Sequence, residues 1–295
     1  MTQTKEREGL LDAPGGRVWY RIAGDGPGIP LLLLHGGPGA GHDYLEPLGV
    51  LGDERPVVFY DQLGCGKSDI PDDTSLWTIE RFVAEIDAVR KGLGLERIHL
   101  LGQSWGGWLA IEYMLGKPKG IVSLTLASTS ASTPGCLREM RKLVEELPPE
   151  MVATIDRSER EGTTESSEYM GAVFTFYQKH LCRLQPWPPE MLRTGLNIQN
   201  SPVYRFMWGP SEFTCTGNLK AWDRSDRIAE ITAPTLITVG RYDEIPHPLA
   251  EEMHRTIAGS ELVVFEESAH SAHAEEPELF AQTVRDFFRS TEAAA

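Results

Sequence analysis

Apolar residues recur along this chain in two alternating patterns. Short β-type runs occupy 17–22, 31–34, 57–60, 99–101 and 122–126. Runs of this length, apolar at nearly every position, suit strands covered on both faces and therefore a mostly parallel sheet. Between them the spacing changes to the helical period. In 79–93, Ile79, Phe82, Val83, Ile86, Val89 and Leu93 share one stripe, which predicts a helix with one face in the core. This alternation is the βαβ rhythm of an α/β sheet flanked by helices.

The rhythm stops after Ser128. The following text is helical in pattern, rich in aromatic residues and interrupted by Pro148-Pro149 and Pro188-Pro189. It resumes at Pro234 with a strand over 235–239, a helix over 249–257, a strand over 262–265 and a closing helix over 279–289. The expected organisation is one α/β unit made of 1–128 and 224–295, with an inserted helical cap at 129–223. The Ala-rich tail at 293–295 is expected to fray.

Composition narrows the function classes. The 295 residues, 41% of them hydrophobic, are enough for a sizeable core. A net charge of -15 repels phosphate backbones and anionic headgroups and favours a cationic ligand. Neither nucleic acid nor membrane is therefore an expected partner. Cys65, Cys136, Cys182 and Cys215 form no CxxC pair, so free thiols in a reducing compartment are expected rather than a disulfide framework or zinc site. Residues 1–10 are charged and lack the apolar core of a leader. A cytoplasmic location is expected.

The chemistry is carried by short motifs. Gly102-Gln103-Ser104-Trp105-Gly106-Gly107 fits G-x-S-x-G and lies between a predicted strand and a predicted helix, where a sharp turn would present Ser104 as a nucleophile. A serine hydroxyl needs a base, and His270 follows the last strand, with His273 as its rival. The orienting acid should follow the strand 235–239, which nominates Asp243, with the adjacent Glu244 as rival. The pair His270 and His273 could alternatively bind a metal, but no HExxH pattern or third ligand accompanies it. His35-Gly36-Gly37-Pro38-Gly39 can supply a backbone N–H to an oxyanion; Gly37 and Trp105 are the candidate donors.

These motifs, together with Asp61-Gln62-Leu63-Gly64-Cys65-Gly66-Lys67-Ser68 and Gly240-Arg241-Tyr242-Asp243-Glu244, make the chain resemble the proline iminopeptidases. The tricorn-interacting aminopeptidase branch is especially similar, because Trp187-Pro188-Pro189-Glu190 and Gly209-Pro210-Ser211-Glu212-Phe213-Thr214 in the cap also match it. The resemblance implies an α/β-hydrolase fold and a serine aminopeptidase. Such an enzyme removes an N-terminal residue, often proline, from short peptides through an acyl-enzyme, with no metal or organic cofactor. It also implies that Glu212 and Glu244 grip the substrate's α-ammonium. An ammonium taken out of water needs fixed carboxylates, which gives that implication physical content. Phe206, Trp208 and Phe213 are expected either to hold the substrate side chain or to form cap core. An amino-acid amidase or amino-ester hydrolase is the nearest alternative, and a non-catalytic receptor on the same fold is another.

Overall fold

The computed structural model describes residues 6–294. Among them eight strands form one sheet: β1 (Glu6–Ala13), β2 (Gly16–Ala23), β3 (Leu31–Leu34), β4 (Val57–Tyr60), β5 (Ile98–Gln103), β6 (Ile121–Ala127), β7 (Thr235–Gly240) and β8 (Glu261–Phe265). Their spatial order is β1-β2-β4-β3-β5-β6-β7-β8. The pairs β1–β2 and β2–β4 are antiparallel, and the remaining pairs are parallel. Every residue of β3, β4, β5 and β7 is buried, which is why these strands read as nearly continuous apolar runs. β1 left no such run. It is an edge strand whose residues are exposed or half-buried, so its polar positions hid it among the loops.

Helices cover the sheet. α1 (Ile79–Leu93) has the expected bounds: the Thr78 side chain accepts from Arg81 N at its start, and Gly94 ends it in the left-handed region. α2 (Trp105–Leu115) follows β5 directly. α3 (Thr133–Glu145), α4 (Pro149–Glu161), α5 (Ser167–His180), α6 (Pro189–Asn200) and α7 (Pro202–Met207) fall between β6 and β7. Three of these, α4, α6 and α7, begin on a proline, whose fixed φ suits the first helical position. Proline pairs that interrupt the sequence pattern are thus helix starts. α8 (His247–Thr256), α9 (Ala272–Glu275) and α10 (Pro277–Ala294) complete the chain. α10 runs through two of the three tail residues expected to fray, and Ala295 lies outside the described residues.

The helices between β6 and β7 have a core of their own, with Val144, Leu147, Ile155, Tyr169, Val173 and Phe176 in one cluster. They are bound to the sheet unit by polar and aromatic contacts. Arg193 on α6 pairs with Asp43 and Glu46 at 2.6 Å each. Trp108 on α2 stacks on Trp222 at 4.6 Å and packs on Trp208 at 5.5 Å.

The strand order sets the location of the site. From β3 the chain moves to β4 on one side and then to β5 on the other, so the ends of β3 and β5 form a topological switch point, where open α/β sheets bind ligands. Close packing there restricts residue choice. A Cβ on Gly106 would lie 2.0 Å from the Leu34 carbonyl oxygen, and one on Gly102 would lie 2.2 Å from that of Gly106. By contrast, a Cβ on Gly171 within α5 would meet nothing within 4 Å. Gly106→Ala should therefore destabilise by roughly 3 kcal/mol or prevent folding. Gly171→Ala should stabilise by up to roughly 1 kcal/mol, by removing glycine's helix penalty. Denaturant unfolding of both variants checks this; equal effects would contradict the packing described.

Candidate active site

Ser104 sits on the turn from β5 to α2 with φ 56° and ψ -124°, a strained conformation for a residue with a side chain. Three hydrogen bonds hold it there. Ser104 N donates to Ala127 O at 3.0 Å, while Gly107 N and Thr129 Oγ1 each donate to Ser104 O at 2.8 Å. The same residue lines a pocket shared with Gly37, Trp105, Trp108, Trp208 and Glu212.

The loops after β7 and β8 bring Asp243 and His270 together. His270 Nδ1 donates to Asp243 Oδ1 at 2.7 Å, and Ile245 N donates to the same oxygen at 2.8 Å. Glu244, the rival acid, lies on the other side of the ring, with Oε1 3.6 Å from Nε2. His273, the rival base, is engaged elsewhere: its Nε2 donates to the Tyr44 carbonyl at 3.0 Å. Burial lowers its pKa to about 4, so it stays neutral in the working range. Among the described residues neither His270 nor His273 belongs to a group of ligands with the spacing of a metal site. A group formed by His42, Asp43 and Glu46 has the spacing of a metal site, but Arg193 and Arg21 neutralise its carboxylates and His42 is bonded to Asp61.

The electrostatics of the site are unusual. Burial alone would lower the His270 pKa, but the charges of Asp243, Glu244 and Glu212 overcome it and raise the pKa to about 9. Glu212 and Glu244 are both shifted upward, chiefly by burial; Glu244 is also repelled by Glu212 and Asp243. Glu212 accepts from Tyr204 Oη at 2.7 Å. Asp243 Oδ2 and Glu244 Oε2 are buried with no partner among the described residues. A cluster of carboxylates short of donors is suited to a cation that brings several N–H groups.

Gly36 N already donates to Tyr44 Oη at 2.7 Å, and Gly37, the next residue, lines the pocket with Ser104. Trp105 N, in the first turn of α2, has no acceptor within its helix. Two glutamines that sequence reasoning did not assign tie the surrounding loops together. Gln103 accepts from Tyr44 Oη and donates to His270 O at 3.2 Å, joining the glycine-rich loop to the base loop. Gln62 donates its backbone N–H to His35 Nε2 and accepts from Trp105 Nε1, both at 2.9 Å. His180, at the end of α5, is a third: its carbonyl accepts from Glu244 N and His270 N, each at 3.1 Å. Both glutamines lie inside quoted motifs, but no sequence signal pointed to His180. Of the three cap aromatics, Trp208 lines the pocket, Phe213 packs on Phe176 at 5.0 Å, and Phe206 is exposed.

Comparison with known proteins places the chain in context. The family model of the alpha/beta hydrolase fold matches residues 29–277. The proline iminopeptidase of Heyndrickxia coagulans is 41% identical over 284 residues, covering 96% of this chain and 99% of that one. The crystal structure of a proline iminopeptidase from Mycobacterium smegmatis superposes with a TM-score of 0.91 at 34% identity, covering 98% and 99% of the two chains. The crystal structure of VinJ gives a TM-score of 0.94 at 37% identity, covering 97% and 99%.

The neutral, buried state of His273 has a measurable consequence. Unfolded, this side chain would titrate near 6.5; folded, it titrates at about 4. It therefore adds stability above pH 6.5 that is lost as pH falls toward 4, because the unfolded chain takes up a proton the folded one refuses. In His273→Gln the rise of unfolding free energy between pH 4 and 6.5 should be shallower by about one proton. Urea unfolding across that range measures it, and an unchanged slope would mean that native His273 is charged.

Proposed function

We propose that this chain, which belongs to the proline iminopeptidase family of α/β hydrolases, is a serine aminopeptidase that releases the N-terminal residue, proline above all, from short peptides with a free α-amine. The observation that carries this reading is the grouping of Glu212 and Glu244 with His270 beside the serine pocket. Ordinary ester hydrolysis has no use for two additional carboxylates in such a place, Glu244 buried and Glu212 half-buried. A peptide N-terminus does, because its ammonium must be paired once it leaves water.

In this reading residues 1–128 and 224–295 form the catalytic unit and 129–223 the cap that carries Glu212. The α-ammonium docks between Glu212 and Glu244, which places the first carbonyl over Ser104. Trp108, Trp208 and Met140 form an apolar wall for the side chain or proline ring. Ser104 Oγ attacks while His270 Nε2 takes its proton, and Asp243 holds the ring in the tautomer that leaves Nε2 free. The oxyanion is met by the N–H groups of Gly37 and Trp105. Collapse breaks the peptide bond, His270 returns the proton to the leaving amine, and water then releases the acyl group by the same steps. No cofactor or metal enters this sequence. Among the described residues no helix is long and apolar enough to cross a membrane, and the four cysteines are free thiols; a cytoplasmic enzyme acting on small peptides fits both.

Ser104→Ala should lower turnover by around six orders of magnitude, as expected when a triad acts as one unit. A serine-directed phosphonate should label Ser104 in the wild type and in His273→Gln, but not in His270→Ala. Glu212→Gln should reduce kcat/KM for free-amine arylamides about tenfold to a hundredfold, the value of one charge-assisted contact. It should leave small neutral esters within about threefold, since they make no such contact. Steady-state kinetics on both substrate types tests the reading, and equal losses would mean that Glu212 supports the fold rather than the ammonium.

A further inference from the structure

A general base must keep one imidazole nitrogen free for the proton it removes. In His270 that nitrogen is Nε2, because Asp243 occupies Nδ1 at 2.7 Å. Nε2 nevertheless faces a carboxylate, Glu244 Oε1 at 3.6 Å. That separation is too long for a hydrogen bond and short enough for strong charge pairing in a buried site. Glu244 is 1% exposed, and its second oxygen has no partner among the described residues. Glu212 adds a third carboxylate from the segment between β6 and β7, and its charge, like those of Asp243 and Glu244, favours the imidazolium; burial pushes Glu212 and Glu244 themselves toward protonation, so the cluster is short of positive charge.

The surrounding groups do not balance these charges. No lysine or arginine pairs with Glu212 or Glu244 among the described residues. His273 is neutral and bonded to Tyr44 O. His180 donates Nδ1–H to Tyr242 O at 2.9 Å, and burial disfavours its cation. Burial also holds Cys136, Tyr177 and Tyr204 in their neutral forms. Among the described residues, His270 is the one group in the cluster that can answer the carboxylates with positive charge.

We propose that Glu244 is a latch on the base: in the empty pocket it keeps a proton on His270 Nε2, and the α-ammonium of a substrate replaces that proton as the cation of the cluster. This rests on the aminopeptidase reading and adds a second role to the ammonium site. The exchange is balanced. The ammonium keeps its own protons and forms N–H hydrogen bonds to Glu212 and Glu244, while His270 releases its Nε2 proton to solvent. No covalent bond changes. The freed lone pair can then accept the Ser104 Oγ proton. A neutral ester can enter the same pocket but leaves the latch closed, so selection for free amines operates on the base as well as on binding.

The raised pKa of His270, about 9, sets the scale of the test. The acid limb of kcat/KM reports the free enzyme and that of kcat the substrate complex. For a prolyl arylamide, the kcat limb should fall to the ordinary histidine range near 6.5, while the kcat/KM limb stays high. For a small neutral ester both limbs should stay high, so its rate at pH 7 should be about a hundredfold below its plateau. Glu244→Gln should move the ester limbs down and raise the ester rate at pH 7 by about tenfold. Calorimetry with pyrrolidinium, in buffers of different ionisation enthalpy at pH 7.5, should detect about one proton released per cation bound by the wild type and none by His270→Gln, which separates release from the imidazole from release by Glu212 or Glu244. Identical kcat limbs for the two wild-type substrates, or cation binding without proton release, would overturn the latch and leave the aminopeptidase reading standing. Failure of pyrrolidinium to bind would remove the ammonium site and both ideas with it.

Discussion

Carboxylates packed around a single imidazole, out of contact with water, need a positive charge among them. That constraint connects most of what is distinctive here. Asp243, Glu244 and His270 are each less than 5% exposed, and burying them would be prohibitive unless each charge were paired or neutralised by a proton. The chain meets the constraint with one base and leaves Glu212 and Glu244 protonation-prone. A site in that state is incomplete until a cation arrives. In the proposed reading the peptide N-terminus supplies one, together with several N–H donors for oxygens such as Glu244 Oε2 that lack partners among the described residues.

Rigid elements make the constraint usable. The glycines at 102 and 106 let α2 close against β3 and β5, which fixes Ser104 at the switch point of the sheet. Gln103, beside the serine, links the base loop to the glycine-rich loop through Tyr44. The α5 carbonyl of His180 holds the backbones of Glu244 and His270 in a fixed relation. The helices between β6 and β7 are therefore joined to the acid and base loops themselves.

The parts legible in the sequence were those imposed by the backbone. Buried strands show as apolar runs, and the elbow around Ser104 shows as a glycine pattern because a Cβ would not fit. β1 was not legible, since an edge strand has no need of a continuous apolar run. The order of strands nominates Asp243 and His270, but it does not by itself exclude their neighbours Glu244 and His273. Asp243 and Glu244, or His270 and His273, differ by where a side chain points, and loop sequence does not encode that locally. The cap aromatics show the same limit: Trp208 reaches the pocket while Phe206, two residues earlier, is exposed.

The central claim is that the site is built for a free ammonium beside the attacked carbonyl. The most direct measurement is hydrolysis by the wild-type protein of a prolyl arylamide and its N-acetyl counterpart under identical conditions. Acetylation removes the charge and leaves the scissile bond unchanged. The account predicts that kcat/KM falls by about a hundredfold or more on acetylation, the loss of at least one buried charge-assisted contact. Equal rates for the two substrates would contradict it.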